Sequence, residues 1–328
     1  MTSKTKLRIL SGTRPTSKLH LGNLLGALEN WKKFESEDAF FMIADWHALT
    51  TEYESHASIR NNVFEVALDY LASGLDPKKA TIFVQSWVPE HAELSLLLSM
   101  MTPLAWLERN PTYKDQIQEL KDKELHTHGF LGYPVLQAAD ILLYQADIVP
   151  VGEDQLPHLE LCREIARRFN HLYKNVFKEP QSSLSKVPKL PGLDGRKMSK
   201  SYGNVIYLSD SPKEVDNKVK QMVTDPARKL RTDKGNPDVC PVFFYHKIFN
   251  KENADVVAKE CRAAERGCVD CKKEMSIKLQ AFTTPIYEKR TELQKKSENI
   301  QDILKEGSKK ASMIARVTFE NAKSAVGL

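Results

Sequence analysis

The sequence has no apolar run long enough to cross a bilayer, and it has no internal repeat or low-complexity tract. Its first residues, MTSKTKLRILSG, lack the apolar core of a secretory signal peptide. These absences argue against a secreted, membrane-spanning or fibrous protein. We therefore expect a cytoplasmic protein with no membrane partner.

The sequence also lacks a strong excess of charge. Its formal net charge is +5, 28% of its residues are charged and 41% are hydrophobic, which is an ordinary composition for a folded protein. A mildly basic chain is compatible with a partner that carries phosphates but does not require one. The length of 328 residues predicts two domains.

Cysteine is scarce, which argues against a disulfide scaffold in a chain expected to be cytoplasmic. Four of the five cysteines nevertheless lie close together in sequence: Cys240, Cys261, Cys268 and Cys271. The last two form a C-x₂-C chelate, and spacing alone leaves zinc, an iron–sulfur cluster or four unrelated thiols open, with zinc the commonest occupant of four cysteines. Cys162 stands apart on the apolar side of a predicted helix, where we expect it to be buried.

Short apolar runs bounded by turn residues predict strands at 7–12, 39–45, 80–86 and 146–152. Segments with helical periodicity lie between or after them, at 58–73, 90–101, 127–144 and 155–170, and Gly74 is placed to end the first. This alternation predicts an α/β fold, with a Rossmann-like parallel sheet in a catalytic domain over residues 1–186. A smaller helical domain is expected over 187–290, and a C-terminal helical segment, 291–328, is expected to pack back toward the catalytic domain.

No Walker motif and no dinucleotide-binding glycine pattern is present, so the usual phosphate-binding loops are absent. Instead, HLGN stands at the start of a helix after the first strand, where His20 and Asn23 can donate hydrogen bonds to an anion. A second stretch, LPGLDGRKMSKSYGN, places the cations Arg196, Lys197 and Lys200 in a loop rich in Gly and Pro. Two anion-binding stretches on separate loops suit a triphosphate held from both sides.

HLGN and KMSKS together resemble the paired motifs of class I aminoacyl-tRNA synthetases. The stretches around them resemble the bacterial type of tryptophanyl-tRNA synthetase: SGTRPTSKLHLGN, ADWHALTT, YPVLQAADILLY, VGEDQLPHLELCREIARRFN and GRKMSKSYGN. The resemblance implies ATP-dependent ligation of L-tryptophan to tRNA(Trp) through a tryptophanyl-adenylate. It also implies Mg²⁺ bound with ATP, a homodimer, and an anticodon-binding role for the helical domain.

By this resemblance, His20, Asn23, Lys197 and Lys200 are the catalytic residues, and the two lysines close on the β- and γ-phosphates of ATP. The residues that the resemblance places around ATP are Arg14, Pro15, Thr16, Gly22, Asn23, Gly152, Glu153, Asp154, Val187, Lys197, Met198, Ser199, Lys200 and Ser201. Ser17 stands where the family usually has Gly, and it would strain the turn if that position needs a positive φ.

Tyr133, Gln137 and Asp140 fall on one face of a predicted helix. A carboxylate among apolar neighbours is costly to bury without a donor, and the resemblance assigns Asp140 to the indole N–H of tryptophan. It also assigns Tyr133, Gln137 or Gln155 to the substrate amino group and His47 to the pocket lining. Tyrosyl-tRNA synthetases use a similar Tyr, Gln, Asp arrangement for a phenol, so they are the main alternative. A paralogue that binds RNA without aminoacylating it is less favoured, because these motifs are intact.

NPDVCPVFFYHKIF and GCVDCKK resemble a subset of tryptophanyl-tRNA synthetases in which four thiolates hold a [4Fe–4S] cluster. We therefore favour the cluster at Cys240, Cys261, Cys268 and Cys271, with Zn²⁺ as the alternative. Its expected role is structural or in RNA contact. Basic residues just before Cys240 are either a phosphate-contacting patch or a solvated loop: Arg228, Lys229, Arg231 and Lys234.

Overall fold

A parallel sheet lies in the part of the chain that the computed structural model describes, which is residues 6–119, 123–184 and 190–328. Its strands are β1 Arg8–Thr13, β2 Asp38–Ile43, β3 Thr81–Val84, β4 Ile148–Val151 and β5 Gln181–Leu184. They pair in the order β3-β2-β1-β4-β5, and every pairing is parallel. The predicted α/β fold is therefore confirmed. Because the strands run the same way, their carboxyl ends share one edge, where ligands bind in such sheets.

Four of these strands were predicted, and each carries an apolar run that is largely buried. The edge strand β5 was not predicted, because its sequence QSSL has neither alternation nor an apolar run. Its side chains are mostly exposed. It pairs with β4 in a register that joins Ile148 to Gln181. Backbone pairing with a neighbour, which a single sequence does not reveal, forms this strand.

The helices in the first part of the chain confirm the four helical segments that periodicity predicts. In chain order the α-helices are α1 Leu21–Asn23, α2 Glu29–Trp31, α3 Asp45–Glu52, α4 Ile59–Ala72, α5 Glu90–Ser99, α6 Leu104–Glu108, α7 Pro111–Glu119, α8 His128–Leu143, α9 Leu156–Leu172, α10 Pro212–Gln221, α11 Pro241–Phe249, α12 Ala254–Arg262, α13 Cys268–Gln294 and α14 Ser297–Val326. Gly74, with φ +101°, follows the end of α4 as expected. Across the described residues, no helix is both long and apolar enough to span a membrane.

The chain divides into two compact units. Unit 1 comprises the described residues of 1–17, 27–186 and 296–328, and unit 2 comprises those of 18–26 and 187–295. Unit 1 therefore holds the sheet and the C-terminal helix α14. The short segment 18–26 carries HLGN, and it belongs to unit 2 together with the KMSKS stretch.

The core of unit 1 forms where apolar helices cover the sheet. Helix α8 packs against both α5 and α9, and the buried side chains of these helices form one cluster with those of β1, β2 and β3. Elsewhere in the same unit, Trp31 stacks on Phe41 with ring centroids 4.7 Å apart. Burial of several aromatic rings in this way contributes a large share of the hydrophobic stabilisation of unit 1.

Helix α14 covers the edge strand β3. The approach is so close that a Cβ placed on Gly307 would lie 1.9 Å from the carbonyl oxygen of Ile82. Beside it, the hydroxyl of Ser308 accepts a hydrogen bond from the backbone N–H of Val84 at 3.2 Å. A helix side chain thus satisfies a backbone donor of the edge strand, which also blocks pairing with another strand.

Unit 2 is helical, and α10 and α11 both pack on the long helix α13. Helix α10 starts with a reciprocal cap: Glu214 Oε2 accepts from the backbone N–H of Ser211 at 2.7 Å, and Ser211 Oγ accepts from that of Glu214 at 3.3 Å. A smaller apolar cluster joins Phe243 of α11 to Val257 of α12, with two cysteines packed against it. The helices of this unit agree with the helical character predicted for the chain after residue 186.

Candidate active site

Helix α1 starts at His20, whose side chain caps the helix. His20 Nδ1 accepts a hydrogen bond from the backbone N–H of Gly22 at 3.1 Å, and Asn23 Oδ1 accepts one from the backbone N–H of His20 at 3.0 Å. Burial lowers the pKa of His20 to about 4, so the ring is uncharged at neutral pH and carries its proton on Nε2. His20 therefore has one N–H donor left for a ligand. A Cβ on Gly22 would lie 2.9 Å from this ring, so a side chain at that position would displace the His20 ring from its cap.

The KMSKS stretch, which the sequence predicts as a loop rich in Gly and Pro, lies in a folded hairpin of unit 2. Pro191 and Lys197 form an antiparallel bridge, and Leu190 O accepts a hydrogen bond from the backbone N–H of Met198 at 3.1 Å. Gly195 turns the chain with φ +83°, a conformation that favours glycine. Gly195 and Pro191 of this Gly- and Pro-rich loop therefore take part in an ordered turn.

Asn204 holds the hairpin from inside. Its Oδ1 accepts a hydrogen bond from the backbone N–H of Ser199 at 2.8 Å, and its Nδ2 donates to Asp194 Oδ1 at 2.7 Å and to Lys197 O at 3.2 Å. Asn204 is only 3% exposed. A Cβ on Gly192 would lie 2.3 Å from its amide group, so glycine is needed at that position too. The backbone on both sides of Met198 is thus fixed by one side chain.

The two lysines of the hairpin have exposed side chains, whereas Met198 between them is buried. The backbone of His20 forms an antiparallel bridge with Tyr207, just after the hairpin. Unit 2 therefore brings the helix start and the cationic hairpin together. Lys197 and Lys200 can reach an anion while their backbone stays anchored, which suits a contact made with phosphate oxygens.

Six of the residues expected around ATP follow β1 and β4, which are neighbours in the sheet: Arg14, Pro15, Thr16, Gly152, Glu153 and Asp154. They lie at the carboxyl edge of unit 1. A Cβ on Gly152 would lie 2.7 Å from Asp154 Oδ1, so the turn after β4 is tight. Ser17 does not have a positive φ, and the strain considered for it is absent. The predicted contact at Val187 lies outside the described residues.

Asp140 lies in unit 1, buried on α8, and its carboxylate accepts three hydrogen bonds from the protein. His47 Nε2 donates to Oδ2 at 2.7 Å, while His91 Nδ1 and Gln85 Nε2 donate to Oδ1 at 2.6 Å and 2.8 Å. Burial pushes the pKa of Asp140 upward, but His47 and His91 outweigh it and hold the pKa well below its usual range. The expectation that a substrate donor is needed to offset burial is therefore too simple, because the protein supplies donors itself.

Tyr133 lies near this carboxylate, with its ring centroid 6.5 Å from that of His47. Its hydroxyl is 2.7 Å from Nε2 of His158 on α9, and burial lowers the pKa of His158 to about 4. An uncharged His158 can accept the Tyr133 proton, which leaves the oxygen of Tyr133 as an acceptor for a ligand N–H. Gln137 is half-buried on the same helix, and Gln155 Nε2 donates to the preceding aspartate at 3.0 Å.

All four clustered cysteines line one cavity of unit 2: Cys240, Cys261, Cys268 and Cys271. Arg228 Nη1 lies 3.9 Å from Cys261 Sγ, and His246 Nε2 lies 3.4 Å from Cys271 Sγ. Burial raises the pKa of the Cys271 thiol to about 12. Among the described residues, no three His, Cys, Asp or Glu side chains form a group that could hold a metal ion. Cys162, in contrast, is buried in unit 1, as expected.

The predicted basic patch divides in two. Arg228 Nη2 donates to the backbone carbonyls of Arg231 and Arg266 at 2.9 Å and 2.8 Å, so this guanidinium is tied into the wall of the cysteine cavity. Lys229 and Lys234 are exposed, as is the side chain of Arg231. Only the exposed cations are placed to contact a phosphate of a partner.

Several residues of these sites do not stand out in the sequence. Gln85 and His91 contact Asp140, Tyr144 contacts His91, and Asn204 holds the hairpin. Gln85 follows β3 directly, so its place at the carboxyl edge of the sheet was available as a signal. His91 and Tyr144 carry no such signal, because their contact joins two segments that lie 53 positions apart in the sequence.

Comparison with known proteins gives consistent results over nearly the whole chain. Residues 2–284 match the family model described as tRNA synthetases class I (W and Y). The tryptophan–tRNA ligase of Thermotoga maritima is 52% identical over 326 residues, covering 98% of this chain and 99% of that protein. The tryptophan–tRNA ligase of Aquifex aeolicus is 44% identical, covering 98% of this chain and 100% of that protein.

The fold is also similar to that of a solved structure. The tryptophanyl-tRNA synthetase of Campylobacter jejuni, crystallised with ADP and tryptophan, superposes with a TM-score of 0.88 at 33% sequence identity. The match covers 98% of this chain and 100% of the other.

Proposed function

We infer the function from the family: the chain belongs to the class I tRNA synthetases for tryptophan and tyrosine. Its reaction is the ATP-dependent ligation of L-tryptophan to tRNA(Trp). The observation that carries this conclusion is 52% identity with a tryptophan–tRNA ligase over nearly the full length of both chains. The tryptophan carboxylate attacks the α-phosphorus of ATP and expels pyrophosphate. A hydroxyl of the terminal ribose of the tRNA then attacks the carbonyl carbon of the adenylate, which forms the ester and releases AMP.

The protein needs no covalent nucleophile for this chemistry, so its residues act by positioning the reactants and stabilising charge. We assign Lys197 and Lys200 to the β- and γ-phosphates, which gain negative charge as pyrophosphate leaves. His20 donates from Nε2 to a phosphate oxygen, and this role is supported by the hydrogen bond that makes Nδ1 an acceptor. Mg²⁺ bound with ATP would share the neutralisation of the phosphates.

For tryptophan, we assign Asp140 to the indole N–H and His47 to the wall of the pocket. Tyr133, whose hydroxyl pairs with His158, is assigned to the substrate ammonium group. The remaining predicted contacts, at Gln137 and Gln155, are proposals of the same kind. These assignments are supported by the cluster that His47, Tyr133 and Asp140 form in unit 1.

For the four cysteines, we propose a [4Fe–4S] cluster in preference to zinc. The preference rests on the resemblance of NPDVCPVFFYHKIF and GCVDCKK to synthetases with such a cluster, and it is supported by the one cavity that all four cysteines line. A bound cluster would cross-link the helices that carry its ligands, and the ligation reaction needs no electron transfer. Arg228 would place positive charge beside Cys261.

Unit 2 is proposed to contact the anticodon of the tRNA, in keeping with its helical character and its exposed cations. A homodimer is proposed from the family resemblance, and exposed apolar side chains in unit 1 support it. Leu96 and Met100 are 61% and 73% exposed and are one helical turn apart, and Leu104 follows at 64%. We place the protein in the cytoplasm, where its tRNA would be charged.

The function is tested by ATP–pyrophosphate exchange with tryptophan and with tyrosine, followed by charging of a tRNA(Trp) transcript. We expect exchange with tryptophan and almost none with tyrosine. Efficient exchange with tyrosine would show that the amino-acid substrate is tyrosine and would contradict the proposed function. A visible absorption spectrum of anaerobically purified protein, with metal analysis, separates a brown cluster from colourless zinc.

A further inference from the structure

The carboxylate of Asp140 is held by protein donors on three sides. A carboxylate offers about four acceptor positions, two on each oxygen. Oδ1 already accepts from His91 and Gln85, and Oδ2 accepts from His47. One position on Oδ2 therefore remains, and all three donors come from other parts of the chain than α8.

His91 is itself held by Tyr144. The two are 2.8 Å apart, from His91 Nε2 to the Tyr144 hydroxyl, and neither is accessible to solvent. Asp140 is ionised and can only accept, so Nδ1 of His91 must carry the proton that points to it. Nε2 can then accept the proton of Tyr144, and the hydrogen bonds run in one direction, from Tyr144 to His91 to Asp140.

The geometry points to His91 and Tyr144 as positioning residues for amino-acid selection: they fix the Asp140 carboxylate so that a single Oδ2 position remains for the ring N–H of tryptophan. This inference rests on the proposed role of Asp140. Tyr144 does not touch the substrate in this scheme and acts only through His91. Its role is to keep the Nδ1–H group of His91 pointing at Oδ1 of Asp140.

Electrostatics support the same arrangement. Burial raises the pKa of Asp140, and the His47 and His91 contacts reverse that effect. Other ionisable groups that interact with this network are Cys162 on α9, which faces Asp140, Glu90, which faces Tyr144, and His158, which interacts with His47. None of these three donates a hydrogen bond to Asp140, so removal of the His91 contact lets burial raise the pKa of Asp140. Tryptophan binding should then weaken as the pH falls, because the protonated carboxyl is a poorer acceptor.

The test compares Tyr144→Phe, His91→Gln and His91→Leu with wild type in ATP–pyrophosphate exchange. The substrates are tryptophan and β-(3-benzothienyl)alanine, whose ring has sulfur in place of N–H. We expect Tyr144→Phe to raise KM for tryptophan about tenfold and His91→Leu more, with KM for ATP unchanged. The preference for tryptophan over the analogue should fall by a similar factor, because the analogue does not use the Asp140 position. His91→Gln retains an N–H donor and should recover part of this preference.

The pH profile gives a second readout. In His91→Leu, the acidic limb of kcat/KM for tryptophan should move to higher pH by at least about one unit, while wild type shows no such limb near neutral pH. Tyr70→Phe is the matched control, since Tyr70 is a fully buried tyrosine of the same unit whose hydroxyl bonds to Met42 O at 3.1 Å. It should lose a similar amount of stability and leave the substrate preference unchanged.

The outcomes are distinguishable. If wild type does not exchange with tryptophan, the proposed function fails. If wild type does and both Tyr144→Phe and His91→Leu keep KM for tryptophan and the preference over the analogue, the positioning role is wrong. An equal loss for tryptophan and the analogue also overturns it, because that is the effect of general damage to the pocket.

Discussion

Replacing Asn204 by Ala should uncouple the lysine hairpin from the rest of unit 2. The side chain of Asn204 makes three hydrogen bonds in the hairpin, to the backbone on both sides of Met198 and to Asp194. Alanine removes all of them and creates none. Lys197 and Lys200 are both retained in this variant. It therefore tests whether their effect on the rate depends on an ordered hairpin backbone.

The magnitude follows from these contacts. Each hydrogen bond contributes about 1 kcal/mol net, and the half-buried N–H of Ser199 is left without its partner. The ordered hairpin should therefore lose about 3 kcal/mol relative to open conformations. Because 1.36 kcal/mol corresponds to a tenfold change in rate, the rate of adenylate formation should fall by up to about 100-fold. Tryptophan affinity should stay near the wild-type value, because Asp140 and Tyr133 lie in unit 1.

The assay is single-turnover formation of tryptophanyl-adenylate, with tryptophan affinity measured separately by fluorescence titration. Ser211→Ala is the matched control, since loss of this helix cap costs about 1 kcal/mol in the same unit without touching the hairpin. Asn204→Asp keeps the acceptor for Ser199 N–H but loses both donors and adds charge beside Asp194, so it should not restore the rate. A normal rate in Asn204→Ala would refute this account of the hairpin.

Three further predictions concern helix α14, the two lysines of the hairpin and the cysteine cavity. Gly307→Ala should lower the free energy of unfolding of unit 1, measured by urea denaturation, by about 2–3 kcal/mol, because the new Cβ would meet the carbonyl oxygen of Ile82. Gly129→Ala is the control and should leave this free energy unchanged, because its Cβ would have no atom within 4 Å. Lys197→Ala and Lys200→Ala should each raise the barrier to adenylation by about 2–4 kcal/mol, which lowers the rate roughly 30- to 1000-fold, with little change in tryptophan affinity. Equal losses of adenylation rate and tryptophan affinity would contradict the assignment. Cys261→Ser should remove the visible absorption of anaerobically purified protein, and a spectrum unchanged from wild type would exclude this cysteine as a ligand.

Much of the fold could be predicted because its strands are continuous apolar runs. The segments around Phe41 and Phe83 are buried, and their composition alone predicts them as strands. The strand β5 could not be found in this way, since its polar residues are ordered by pairing with β4. The close approach of α14 to β3 is equally hidden, because it depends on Gly307 meeting a residue more than 200 positions earlier in the chain.

The candidate site shows the same division. Lys197, Lys200 and His20 stand in short, unusual motifs, and sequence reasoning locates them. The partners of Asp140 are scattered over three other segments, and only folding brings His47, Gln85 and His91 to one carboxylate. Sequence reasoning could therefore identify a buried acid that needs donors, but not that the protein provides three of them.

We propose that residues of unit 1 select tryptophan and that residues of unit 2 stabilise the departing pyrophosphate. The most direct test is single-turnover adenylate formation measured over a range of tryptophan concentrations for Asp140→Asn and Lys200→Ala. We expect Asp140→Asn to raise the tryptophan concentration at half-maximal rate with a smaller effect on the plateau, and Lys200→Ala to lower the plateau alone. If both substitutions change the same parameter to the same extent, this division of roles is wrong.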